Sequence, residues 1–532
     1  MKHKKVKFIF LLICSILLLL TFDPKVFMGG DNAYYMSLAE SMLHGKYQPI
    51  FQPNPKPETG VPPLYPAILA ITRAIFGKSF LPAKILSFIF FILAIYLWFK
   101  FYKDRKLNEK IIYAILLFAA LNPVISEYSH WEITESLFIL ICALSFWWYD
   151  KIQKSNAPRQ WFILGLITVL AYFVRATGAT ISIAIFITLL IKKRWRELIW
   201  FSLANAIILA PWLTRNMILS GQLAGGAYTS QFFTDPITHK PLSTSAFITK
   251  MIRNMLTYFL YNIPILFFPA LKAKLARFGI LNIITSAVVL IPLISVLFKK
   301  VSEFKHIFLF LLLYFTMLFM FREDAAIVRY IVPIYFLISL LTINGLKILS
   351  GKRKNVYQTI LLIILIAMMA NAGIDYSKAV KSNLPNLIKY IKGDKTAGYA
   401  NYYKTFLEAC DWIRYNTPKE AIILSRKPRL TWYFSERKSV EYPWYPKEIV
   451  KLVDSLGVDY VLIDRMTLSS EYIFMPWQLE RVVKMAEILK TQIPDVEYAV
   501  PYTDIKLRLR VVFYTKEEPK TFVLKVLPKT VK

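Results

Sequence analysis

Asp31 opens a polar stretch, Gly29-Gly30-Asp31-Asn32-Ala33-Tyr34-Tyr35, a few residues beyond a long apolar run. A carboxylate at such a boundary suits general-base chemistry, taking a proton from a hydroxyl presented at the lipid surface. A carboxylate at the start of a helix also serves as a simple N-cap, and these residues alone leave both roles open. Tyr34 or Tyr35, Leu38 and Met42 follow at helical spacing, as a stripe along the membrane surface. Further acidic groups sit in His130-Trp131-Glu132-Ile133-Thr134-Glu135-Ser136-Leu137-Phe138. Glu132 and Glu135 are three apart and share a helix face. The helix dipole accounts for either carboxylate. Glu135 should lie deeper, where ionisable groups are costly and usually functional. His130 reads as structural, since a lone interfacial histidine seldom holds a metal.

Cations complete the set. Arg175, Arg215 and Arg329 fall at the ends of apolar runs, with Tyr330 beside Arg329 and Arg322 close by. Guanidinium groups bind phosphate bidentately. Each arginine alone equally suits snorkelling to headgroups. Several arginines with carboxylates on the same side point to a site that binds a phosphate and removes a proton.

The elements that must carry these residues are mostly transmembrane. The chain has 532 residues, of which 56% are hydrophobic and 19% charged, with a mean hydropathy of +0.45. Soluble domains carry roughly 45–50% apolar and about 25% charged residues. The excess is gathered into runs at 8–22, 81–101, 111–126, 132–149, 161–174, 177–191, 197–213, 278–298, 306–321, 327–346 and 358–374. These predict a polytopic helical membrane protein with about eleven spans, each near the ~20 residues that cross the hydrocarbon core. The first resembles a signal peptide, but Asp23-Pro24-Lys25 follows in place of a cleavage site, so it reads as an uncleaved anchor.

The net charge is +32, and short basic loops such as Lys103-Asp104-Arg105-Lys106, Lys192-Lys193-Arg194-Trp195-Arg196 and Lys352-Arg353-Lys354 separate the apolar runs. By the positive-inside rule these are cytoplasmic. The opposite side then receives the first outer loop 23–80, a loop at 214–277 and everything after about 375. The segment 256–271 is apolar enough to cross and would reverse that parity. Pro264 and Pro269 and its short length favour an interfacial or re-entrant helix. Two domains follow: a membrane domain at 1–375 and an extracytoplasmic soluble α/β domain at 376–532. In the latter, Phe406, Cys410 and Ile413 mark a helix, while 421–424, 460–463 and 507–511 read as strands.

Absences narrow the chemistry. No Gly-x-x-x-x-Gly-Lys-Ser/Thr loop, His-Glu-x-x-His or Cys-x-x-Cys occurs. Nothing resembles a nucleic-acid module. Of the three cysteines, Cys14 and Cys142 lie in apolar runs, and no structural disulfide is expected. Energy must therefore arrive in an activated substrate or an ion gradient.

Taken in order, these motifs resemble the GT-C glycosyltransferases that use polyprenyl-phosphate sugars. They are most similar to bacterial relatives of the protein mannosyltransferases (glycosyltransferase family 39) and of the aminoarabinose transferase that modifies lipid A. The resemblance runs through Gly29-Gly30-Asp31 with Tyr34-Tyr35, Pro62-Pro63-Leu64-Tyr65-Pro66, Thr134-Glu135-Ser136-Leu137-Phe138, Arg175-Ala176-Thr177-Gly178, Pro211-Trp212-Leu213-Thr214-Arg215-Asn216 and Arg329-Tyr330-Ile331-Val332-Pro333. Trp412 to Pro418 resembles the start of the family's outer domain.

The resemblance implies a GT-C fold in the cell inner (plasma) membrane. Asp31 would be the catalytic aspartate and Glu135 a second acidic group near the site. Arg175 and Arg329 would lie on the phosphate of a polyprenyl-phosphate-linked sugar donor. The acceptor, a glycan, lipid or protein, stays open, and so does a divalent metal ion, on which family members differ. Two departures stand out. Asn32 replaces the glutamate that follows the aspartate in protein mannosyltransferases. Val61 occupies the place of the aminoarabinose transferase's phosphate-binding lysine. Trp147-Trp148-Tyr149-Asp150 is a scrambled echo of the oligosaccharyltransferase Trp-Trp-Asp motif at a cytoplasmic span end, and is discounted. The expected activity is inverting sugar transfer to a hydroxyl. The competing expectation is a transporter or flippase of lipid-linked saccharides, which would need no catalytic residue.

Overall fold

The computed structural model describes residues 2–223, 232–235, 240–272, 279–321, 327–443, 448–466, 476–499 and 506–528. The chain divides into two compact units. One comprises the residues up to Pro24, Thr59–Tyr65 and Lys78–Ile391, and the other Lys25–Glu58, Pro66–Gly77 and the residues from Lys392 onward. The boundary expected at 375/376 thus falls inside the helix Lys354–Ile391. Most of the first outer loop belongs with the tail, because it packs on tail residues.

In the first unit every apolar run meets a helix. Among the described residues, five helices are long and apolar enough to cross a membrane, or six if the pair Glu109–Leu121 and Pro123–Ser129, bent by 73°, counts as one. The others are short or carry charge. Lys2–Leu20 begins with lysines, and Glu135–Ile152 starts on Glu135 and carries Asp150-Lys151 in its last turn. The runs at 278–298 and 306–321 join into one helix, Ile280–Met320, kinked at Lys300 and Phe304. The segment 256–271 is broken into a π-turn at Tyr258–Asn262, a helix at Ile263–Phe267 and a 3-10 turn at Pro269–Leu271. Pro264 and Pro269 each sit at the start of a piece, where a missing N–H costs nothing. Asn122 pins this segment, donating from Nδ2 to the Leu266 carbonyl at 2.7 Å.

The basic loops gather at one end of this unit. Arg105 donates to Asp150 at 2.7 Å, Trp147 to Asp104 at 2.9 Å and Arg194 to the Ser155 carbonyl at 2.7 Å. Asp150, the acid of the discounted Trp-Trp echo, therefore ties helix ends together. Asp23, Lys84, His130, Glu135 and Arg175 occupy the opposite helix ends.

Helices Ile280–Met320 and Tyr335–Leu349 approach closely. A Cβ on Gly345 would stand 1.8 Å from the Pro292 carbonyl oxygen. Gly345→Leu should therefore destabilise the bundle by about 1–3 kcal/mol or more, as overpacking does. Gly373→Ala, with nothing within 4 Å, is the matched control. Melting of the purified protein in detergent checks both, and equal melting temperatures would contradict the packing described.

The second unit holds a six-stranded sheet of order β2-β1-β3-β6-β5-β4. Its strands are β1 (Ile422–Ser425), β2 (Lys438–Glu441), β3 (Tyr460–Ile463), β4 (Val496–Ala499), β5 (Lys506–Tyr514) and β6 (Phe522–Val526). β1 runs parallel to β2 and β3, while β6 pairs antiparallel with β3 and β5. Leu424, Val461, Ile463, Phe522 and Leu524 form the core with Val453 and Val483 from covering helices. The outer-loop segments pack here. Ser439 N–H donates to the Phe51 carbonyl at 2.7 Å, and Val26 N–H to the Tyr399 hydroxyl at 2.7 Å.

Candidate active site

Asp31 is the first residue of the helix Asp31–Leu43. The capping position belongs to Gly30, whose φ of 93° lies in the left-handed region. Glycine adopts this conformation without a Cβ penalty. The Asp31 carboxylate is thereby released from capping, and its Oδ1 lies 3.5 Å from Arg429 Nη1. Both side chains keep access to solvent, at 38% and 42% exposure. The Arg429 guanidinium also lies over the Tyr34 ring, 4.5 Å from its centroid. Tyr34 donates its hydroxyl to Glu58. Burial first, and the Glu58 carboxylate next, push that hydroxyl well above the usual tyrosine range. Tyr35 is partly buried beside it, and Asn32 is fully buried. A charged glutamate at position 32 would have to be desolvated.

Arg429 is positioned by the tail's sheet. β1 ends at Ser425, the loop Arg426-Lys427 follows, and the helix Pro428–Ser435 begins. The carboxyl ends of parallel strands are the usual ligand-binding edge of α/β sheets. Asp464, just past β3, lies 3.7 Å from Arg426 Nε. Burial, then Arg426, pulls the Lys427 ammonium below its usual range, while Asp464 and Asp31 act in the opposite sense. Asp31 thus belongs to a field of tail cations.

A second cluster lies in the membrane unit. Glu135, with no solvent exposure, accepts from Arg175 Nη1 at 2.6 Å and from Arg329 Nε. Arg175 lies 5.3 Å from the centroid of the Tyr330 ring, which stacks on Phe321. The Tyr330 carbonyl is held by the Tyr314 hydroxyl at 2.7 Å. Glu132 is also buried, 3.4 Å from Lys84 Nζ. Lys84 donates further to the carbonyls of Asp23 at 3.2 Å and His130 at 3.0 Å. Glu132 therefore belongs to a knot of helix ends.

Four of the expected residues, Glu135, Arg175, Arg329 and Tyr330, are brought together. Asp31, Tyr34 and Tyr35 share the other cluster. Arg215 stands elsewhere, on Asn216 at 3.0 Å and over the Trp212 ring. Arg322 lies outside the described residues. Among those residues, no group of three His, Cys, Asp or Glu side chains is arranged to hold a metal ion. Two residues escaped the sequence reading. Lys84 was legible as a lone charge in an apolar run. Arg429 gave no such signal, being one of many cations in a soluble domain.

Residues 60–216 match the family described as dolichyl-phosphate-mannose-protein mannosyltransferase. That stretch holds Glu132, Glu135, Arg175 and Arg215, while Asp31 and Arg329 lie outside it. No curated protein sequence matches the chain. Among solved structures, ArnT from Cupriavidus metallidurans bound to undecaprenyl phosphate aligns over 98% of both chains, with a TM-score of 0.56 and 10% identity. The oligosaccharyltransferase of Archaeoglobus fulgidus, tethered to an acceptor peptide containing the NVT sequon, has a TM-score of 0.54 at 12% identity, over 86% of this chain and 69% of that one. Its complex with zinc and sulfate has a TM-score of 0.53 at 14% identity, over 85% and 67%. At such identities the likeness shows a common fold.

Proposed function

We propose that this chain, a membrane protein with the GT-C glycosyltransferase fold, moves a sugar from a polyprenyl-phosphate donor to an acceptor hydroxyl with inversion. The observation that carries the reading is the Asp31 carboxylate, clear of the helix cap and 3.5 Å from the Arg429 guanidinium. The undecaprenyl phosphate in the ArnT structure and the family name attached to residues 60–216 support a lipid-phosphate donor.

Asp31 takes the proton of the acceptor hydroxyl. The acceptor oxygen attacks C1 of the sugar, and the C1–O bond to phosphate breaks with its electron pair leaving on the phosphate. Guanidinium groups stabilise that developing charge, electrostatic help that is often the largest catalytic contribution. Arg429, with Lys427 nearby, serves the region around Asp31. Arg175 and Arg329 are assigned to the donor phosphate, and Tyr330 flanks them. Glu135, sealed between those arginines, is a positioning residue in this scheme, and Glu132 holds Lys84. Tyr34 and Tyr35 offer rings to a sugar, and Arg215 is assigned to the lipid-facing surface. We assign the reaction to the outer face of the cell inner membrane, with the tail extracytoplasmic, from the charge of the loops.

The test is sugar transfer by the purified chain in liposomes supplied with a polyprenyl-phosphate sugar, with the product anomer read by NMR. Inversion is expected, and retention would contradict direct attack. Arg429→Ala should lower transfer by about 10- to 100-fold, the loss of one charged hydrogen bond. Unchanged rates would remove Arg429 from the site.

A further inference from the structure

A large cavity lies at the basic end of the membrane unit, away from Glu135 and its arginines. Its volume is about 1190 Å³, above the ~300–1,000 Å³ usual for small-molecule sites. It opens between the loop after Leu81–Asp104, the helix Tyr335–Leu349 and the start of Lys354–Ile391. Arg105, Lys106, Lys110, Lys347, Lys352 and Lys354 line it, and no acidic residue does. Arg105 is engaged by Asp150, leaving the lysines as the cationic mouth. Deeper, the walls become apolar, with Leu361, Leu365 and Met369. A smaller apolar pocket of about 30 Å³ shares Ile343, Leu361 and Leu365 as walls. Lys354–Ile391 packs loosely above this slot, with Leu362 and Ile366 each 58% exposed.

A ring of lysines over an apolar slot matches an amphiphile with a phosphate head and hydrocarbon tails. Basic pockets between membrane helices on the cytoplasmic side bind anionic headgroups in this way. We propose that this cavity is a binding site for an anionic glycerophospholipid of the leaflet facing the basic loops. Its phosphate lies among Lys110, Lys347 and Lys354, and an acyl chain lies along Leu361 and Leu365. The bound lipid would anchor the start of Lys354–Ile391 against the bundle.

The experiment uses the full chain in dodecyl maltoside micelles, titrated with dioleoyl phosphatidylglycerol and followed by native mass spectrometry. Saturable binding is expected for this lipid and not for dioleoyl phosphatidylcholine. The K110Q/K347Q/K354Q variant should lose about 100-fold in affinity, at roughly 1 kcal/mol for each of three cations near the surface. A control, K154Q/K193Q, neutralises exposed lysines of the same end and should bind like the parent. Leu365→Trp fills the slot while keeping every charge. It should also weaken binding, which keeps the test available should the triple variant fold poorly. Parent-like affinity in the triple variant or in Leu365→Trp would overturn the proposal. So would equal binding of phosphatidylcholine, competition by glycerol phosphate at equal concentration, or displacement by equimolar polyprenyl phosphate.

Discussion

Asp31→Asn is expected to abolish sugar transfer while leaving the protein folded. The substitution keeps shape and hydrogen-bonding capacity but removes the base. Loss of general-base assistance costs typically about 10²–10⁴ in rate. Folding should survive, because the group is 38% exposed and the helix is capped at Gly30 rather than at Asp31. Its partner Arg429 is 42% exposed and gains water when the charge disappears. The measurement is donor turnover in liposomes beside melting of the same preparation. Parent-level transfer by Asp31→Asn, with an unchanged melting temperature, would end the mechanism. A collapse of melting together with activity would show Asp31 to be structural.

Glu135→Gln should act through stability. Glu135 is sealed from solvent between Arg175 and Arg329. Removing one charge from a buried group strands the others, at a cost of about 3–5 kcal/mol. Two guanidinium groups would then face each other without the carboxylate that bridges them. Melting in detergent should fall sharply, and expression with it. A triple variant, E135M/R175M/R329M, separates the two roles of the cluster. Apolar replacement of a whole buried ionic group is often neutral or stabilising. Melting should therefore recover in the triple variant while transfer stays lost. Recovery of transfer as well would show that the arginines do not touch the donor phosphate.

Several features were legible in the sequence because they rest on local physics. The apolar runs fixed the helices, since only a hydrogen-bonded helix can carry some twenty lipid-soluble residues. Pro264 and Pro269 foretold the broken segment, because proline removes a donor wherever it falls. The fully buried strand Tyr460–Ile463 announced itself as a continuous apolar run. Glu135, Arg175 and Arg329 stood out singly, as charges set against apolar runs, and Asp31 as a carboxylate just beyond one.

Their partnerships did not. Glu135 meets Arg175 across 40 positions and Arg329 across 194. Asp31 meets Arg429 across 398. No periodicity spans such distances. The packing of helices and the turn after β1 decided those pairs, and also gave the first outer loop to the tail's compact unit. The lysines of the large cavity likewise read as ordinary loop charges until the helices beside them left an apolar slot beneath. Sequence displays which groups are costly to leave alone. Tertiary structure selects their partners, because Coulomb and hydrogen-bond energies fall off over a few ångströms that only the folded chain defines.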